Sequence, residues 1–177
     1  MRQNPKNVSP MSNEGRNAYV IEHLTASLLK LLQSAPMDEI SVSTLCDNAG
    51  VGRASFYRNF ESREDILKLY INKLFGEWIK DSGLNDGKPL NELIRSLFAH
   101  FEDRRDFYSL LNERKLIYLL KDVIIGICGP TPEHEKTEAY ARAYVAYMLY
   151  GWIEVWFQRG MKESAEEMAG MLKAQGL

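Results

Sequence analysis

The chain has 177 residues, of which 45% are hydrophobic and 26% charged, with a formal net charge of -2. That length bounds the answer to one ordinary domain, or a small one joined to a larger one, and the composition is that of a soluble globular protein with a sizeable core. Bulk charge excludes nothing but an easy argument. Residues 1–80 carry 10 Lys and Arg against 9 Asp and Glu, and residues 81–177 carry 12 against 15, so a claim of nucleic-acid binding has to rest on local placement.

In chain order, residues 1–13 contain Pro5, Pro10 and several Asn and Ser, and are expected to form a loose tail. The opening "MRQNPKNVSPMSNEGR" lacks the apolar core of a secretory signal. Val20, Ile21, Leu24, Leu28, Leu31 and Leu32 then recur at helical intervals and predict a first helix from about Arg16 to Gln33, ended by Pro36. Ser41 caps a second, short helix through "VSTLCDNA", whose Val42, Leu45, Cys46 and Ala49 share a face. Gly50 supplies a residue that tolerates positive φ, and Gly52 precedes a third helix, Arg53 to Asn59. Ser62 to Asp65 reads as a capping box opening a fourth helix, in which Ile66, Leu67, Tyr70, Leu74 and Trp78 recur.

After "DSGLNDGKP", the expected seam, Leu90 to Phe101 predicts a fifth helix, with two more at Asp106–Leu111 and Arg114–Ile125. "GICGPTP" breaks the chain, and Thr131 with Pro132 predicts the start of a helix running to about Gln158 and closed by Gly160. Ser164 and Glu167 form the capping box of a last helix. No stretch alternates as a strand would, so the fold is expected to be all-α without internal repeats. The most apolar run, Ala143 to Phe157, is 15 residues long and contains Glu154, whereas a membrane span needs about 20. Cys46 and Cys128 are the only cysteines and His23, His100 and His134 are scattered, so neither a disulfide framework nor a metal site is expected, and no cofactor. A cytoplasmic protein with no membrane partner is the expectation.

The two short helices joined by a glycine-containing turn predict a helix-turn-helix, whose second helix can enter a DNA major groove. Phe56 and Phe60, four apart, would anchor that helix, leaving Arg53, Ser55, Tyr57, Arg58 and Asn59 on the other face to meet bases and phosphates. The competing reading is a compact helical corner with solvated charges. A helix this short, carrying two arginines and a tyrosine, gains little from packing alone, which favours the DNA reading.

The pattern I-x-V-x-x-L-x-x-x-A-G-V-G-x-x-x-F-Y-R-x-F-x-S-R-E-D-I-L, from Ile40 to Leu67, resembles that of the tetracycline-repressor-like (TetR) regulators. The resemblance covers roughly residues 16–75, and the ending "GWIEVWFQRGMKESAEEMAGML" resembles a subgroup of firmicute regulators. It implies a tail at 1–13, a three-helix DNA-binding domain at 14–61, and a ligand-binding and dimerisation domain at 62–177 reached through the fourth helix. It also implies that Arg53 and Ser55 lie toward base edges, with Ser43, Thr44, Tyr57 and Arg63 toward phosphates and Gly52, Ala54, Arg58 and Asn59 in the same surface. Asn59 stands where family members often have a histidine or an aromatic, which opens a direct adenine contact there. The resemblance further implies a four-helix dimer interface from roughly residues 137–174.

The second half is rich in aromatics. Core is the plain explanation of Tyr140, Tyr144 and Tyr147, which share one helical face; the alternative is a cavity enclosed by Phe98, Phe101, Tyr108, Tyr118, Tyr140, Tyr144 and Tyr147, taking an apolar or aromatic effector. The helix through Ala143–Phe157 is apolar nearly all round and so is expected to be buried on two sides, against its own core and against a second subunit. Trp152, Trp156, Met168 and Leu172 are the candidates for that interface. The function expected is a regulator that binds a palindromic operator as a homodimer, acting as a repressor released by a small-molecule effector. An activator controlled by a protein co-regulator is the alternative. An all-α enzyme lacks support: there is no nucleophile elbow, H-E-x-x-H, phosphate-binding loop or dinucleotide fingerprint.

Overall fold

The computed structural model describes residues 13–83 and 88–175. The expected tail thus lies outside the described residues except for Asn13, as does the middle of the "DSGLNDGKP" stretch. Among the described residues every regular element is helical: α1 (Asn13–Ser34), α2 (Val42–Ala49), α3 (Arg53–Asn59), α4 (Arg63–Ser82), α5 (Leu90–Asp103), α6 (Arg105–Glu113), α7 (Leu119–Cys128), α8 (Lys136–Gln158) and α9 (Ala165–Ala174), with a single 3-10 turn at Met37–Glu39. The protein is all-α, as its periodicities predict. It divides into two compact units, one ending at Ile66 and one beginning at Leu67, so that α4 runs from one into the other.

In the first unit α1 packs against α2 and α3, and α2 against α3. Leu24, Leu28 and Leu32, spaced by four along α1, are fully buried. Each such side chain contributes about 1.5–3 kcal/mol relative to exposure. Leu45, Cys46 and Ala49 of α2 and Phe56 and Phe60 at α3 complete this core. The punctuation is local. Ser41 accepts from Thr44 N at 3.0 Å to cap α2, and Gly50, at φ 66, ends it in the left-handed conformation. At the start of α4, Asp65 accepts from the backbone N–H groups of Glu61 and Ser62.

The second unit pairs α5 with α9 and α7 with α8, with α6 against both α5 and α8. Its centre is aromatic: Phe98 meets Trp156 edge-on at 5.1 Å, and Phe101 meets Tyr108 at 4.6 Å and Phe157 at 5.6 Å. His100, 3% exposed, lies among them with its Nε2 3.0 Å from the Tyr108 hydroxyl. The expected capping box of α9 is present, and Glu102 of α5 adds a third group by accepting from Ala165 N at 3.0 Å.

Two helix starts differ from expectation. α7 begins at Leu119 and not at Arg114, because Lys115 takes φ 58 and Leu116 N donates back to Leu111 O at 2.7 Å, closing α6 with a left-handed stop that lacks the usual glycine. α8 begins at Lys136 and not at Thr131–Pro132. His134 N donates to Thr131 O and its Nδ1 accepts from Thr131 N, so Pro132 sits in a tight turn ahead of the helix.

Candidate nucleic-acid interface

The fold turns α3 so that Phe56 is wholly buried and Phe60 nearly so, while Arg53, Ala54, Tyr57 and Arg58 are exposed. The spacing dictates this. Positions 56 and 60 lie one turn apart, 54 and 58 fall on the opposite side of the helix, 57 lies at its flank, and 53 is exposed in the first turn of the helix. The exposed guanidiniums of Arg53 and Arg58 take no hydrogen bond or ion pair among the described residues, and the Tyr57 side chain is 64% exposed. Gly52 heads the helix with φ -73, and Ser43 and Thr44 are exposed on α2. Thr44 Oγ1 lies 2.9 Å from Ser41 Oγ. Most of the surface expected from the sequence is therefore brought together on two short helices of one unit.

Two positions are engaged elsewhere and a third is partly covered. Asn59 is half-buried and its Nδ2 donates to Ser55 O at 2.8 Å, a bond that would have to break before the amide could read adenine. Ser55 is half-buried too. Arg63, expected at a phosphate, donates from Nη1 to the carbonyls of Met37 and Ile40. Spacing missed a neighbour of α3 on α1: Arg16, Asn17, Tyr19 and Val20 share a cleft of about 870 Å³ with Ser55, Arg58 and Asn59. The continuation of the Leu24 stripe toward the start of α1, where Arg16 and Asn17 replace leucines, is the signal that could have found it.

The seven effector-pocket candidates do not enclose a common cavity. Phe98, Phe101 and Tyr108 are completely buried in the packed aromatic core, whereas Tyr118, Tyr140, Tyr144 and Tyr147 are 50–72% exposed. Helical spacing shows that the α8 tyrosines share a face, and that face is the outward one; Lys121 sits 5.4 Å from the Tyr147 ring centroid. A different set of residues, Phe75, Trp78, Leu97, Ile124, Cys128 and Leu149 among others, bounds about 130 Å³ of apolar space in this unit. Burial pushes the Cys128 and Cys46 thiols up, which keeps both protonated at neutral pH. Of the interface candidates, Trp156 of α8 is buried within the protomer against Phe98, Met168 and Leu172 of α9 are buried within it too, and Trp152 is half-exposed. Trp152, Val155 and Met171 border an apolar groove of about 590 Å³ over α8 and α9.

Comparison with known proteins bears on both units. Residues 24–70 match the family described as bacterial regulatory proteins, tetR family, and residues 88–174 match a transcriptional regulator C-terminal region. The HTH-type dhaKLM operon transcriptional activator DhaS of Lactococcus lactis subsp. lactis is 28% identical over 95 residues, which are 53% of this chain and 50% of that protein. The chain thus spans about half the length of the curated relative it matches. Among solved structures, the dihydroxyacetone kinase operon activator DhaS aligns over 88% of this chain and 93% of its own, at 17% identity and a TM-score of 0.50. The fatty acid degradation regulator FadR from Bacillus halodurans aligns over 84% and 93%, at 15% identity and a TM-score of 0.51. At such identities the two structures speak for the fold alone, and the family matches carry the rest: the chain belongs to the tetR family of bacterial regulatory proteins.

Proposed function

We propose that this regulator binds a two-fold symmetric operator as a homodimer, each protomer placing α3 in a major groove, and represses by occupying it until an effector bound in the C-terminal unit favours the free form. The observation that supports this is the α3 face: two guanidiniums and a phenol point outward, unspent on the protein's own structure, from a helix fixed on its other side by Phe56. Arg53 can pair bidentately with a guanine edge, while Tyr57 and Arg58 suit phosphates. A dimer would set two such helices about 34–36 Å apart, one turn of duplex. The test is selection of duplexes from a random library by the purified protein. Two inverted half-sites with centres about 10 base pairs apart support the reading, and a single unpaired half-site overturns the dimeric arrangement.

The alternative sign of regulation, activation with a protein co-regulator, has its own support. The matched Lactococcus lactis relative is named an activator, and Tyr140, Tyr144 and Tyr147 present an exposed aromatic stripe instead of enclosing a ligand. Transcription in vitro from a promoter carrying the selected operator separates the two. Repression shows as less transcript on adding the protein alone, activation as more.

A further inference from the structure

The geometry points to Arg63 as a positioning residue: it ties the first turn of α4 to the approach to α2 and so sets how the helix-turn-helix is presented, instead of neutralising a DNA phosphate. Its consequence for DNA rests on the reading of α3 given above. The Arg63 Nη1 donates to Met37 O at 2.7 Å and also to the carbonyl of Ile40, contacts that reach back 26 and 23 residues. Both acceptors belong to the connection between α1 and α2. Met37 O also receives Ile40 N, closing the 3-10 turn, and Ile40 immediately precedes Ser41, the N-cap of α2. Met37 and Ile40 are 6% and 2% exposed, so the connection cannot swing away without unpacking the core.

A charged donor shared by two carbonyls makes stronger bonds than neutral ones, and the guanidinium holds the two N–H bonds of Nη1 in a fixed plane, which a rotating lysine ammonium on a flexible stem does not. α2 packs in turn against α3. The line from Arg63 through Met37 and Ile40 to Ser41, α2 and α3 is therefore continuous, and it starts at the N-terminal end of a helix that runs on into the second unit. A phosphate contact made by Nη1 would take it from the Ile40 carbonyl and leave Met37 O with the Ile40 N–H alone, in a half-buried place, which is costly.

The test compares the full-length protein with Arg63→Lys, which keeps the charge, and Arg63→Gln, which removes it. Amide hydrogen exchange is followed without DNA, and affinity is measured over a salt series for a duplex that the unsubstituted protein selects from a random library. We expect Arg63→Lys to speed exchange at residues 40–46 by about tenfold or more while residues 24–32 keep their protection. Both variants should bind the duplex about tenfold more weakly at every salt concentration, with an unchanged slope of log affinity against log salt. A phosphate contact predicts the reverse: a slope shallower by about 0.9 per protomer in Arg63→Gln, restored together with affinity in Arg63→Lys. That result overturns the inference, as does unchanged exchange at 40–46 or a loss of protection throughout the first unit. If the unsubstituted protein selects no duplex, the DNA reading fails, while the exchange comparison still decides whether Arg63 holds the connection.

Discussion

Arg53 and Tyr57 differ in what they can reach, and the difference is measurable. A bidentate guanidinium distinguishes guanine from other bases, so Arg53→Ala is expected to relax preference at one position of each half-site, costing about 1–3 kcal/mol. Sequencing of the duplexes selected by the variant checks it; an unchanged consensus would remove Arg53 from base reading. At the centre of the second unit His100 makes a different prediction. Burial, with the Arg104 guanidinium adding to it, lowers its pKa from the ordinary 6.5 to about 4. The unfolded chain then binds a proton that the folded one refuses. The contribution is complete above pH 6.5 and is lost as pH falls through 4, amounting to about 2 kcal/mol by pH 5. Urea unfolding at pH 7.5 and pH 5 should show that loss, and His100→Asn should show a smaller difference between the two.

Among the elements, the two glycines of the turn separate a backbone demand from a spatial one. Gly50 stands at φ 66 with open space around the missing Cβ, so Gly50→Ala pays only for the left-handed backbone, about 1–2 kcal/mol of stability. Gly52 has an ordinary φ of -73 and equally open space, so Gly52→Ala should leave chemical denaturation unchanged while weakening the operator if the duplex backbone comes close. The element pattern was legible where its signals are local. Ser41 and Gly50 bound α2 where the spacing predicts it, and the Ser164–Glu167 box opens α9. The starts of α7 and α8 were not, since Lys115 adopts a glycine's conformation and the cap-like Thr131–Pro132 pair is used by a turn with His134. The burial of Phe56 and Phe60, and with it the exposure of Ala54 and Arg58, follows from their spacing. Arg63 does not, because its partners are backbone carbonyls far back in the chain, and no side-chain pattern encodes those. Nor does periodicity say which way the Tyr140, Tyr144 and Tyr147 face turns, since exposed and buried tyrosine stripes have the same spacing.

For the whole molecule, self-association follows from apolar surface left on α8 and α9. Val155 is 53% and Met171 41% exposed, beside Trp152 and an apolar groove. Sedimentation is expected to show a dimer at micromolar concentration, and Val155→Asp or Met171→Glu should yield a folded monomer, because neither side chain supports the protomer's own core. Trp156→Ala should behave differently and cost about 3–5 kcal/mol of stability, since that ring fills the protomer interior. The pairing of α5 with α9 has a kinetic consequence as well. Glu102 meets Ala165 across 63 residues, and Met168 and Leu172 supply part of the wall against which the α5 side of the core closes. Contacts so distant in sequence form late, whereas α1, α2 and α3 close their core over a few dozen residues. During synthesis the helix-turn-helix can therefore settle while the second unit is still waiting for α9 to emerge, with the side of α5 that α9 covers left open in the interval. A nascent chain halted before Ser164 should already protect α1–α3 from protease and yet be held by chaperones through its aromatic half.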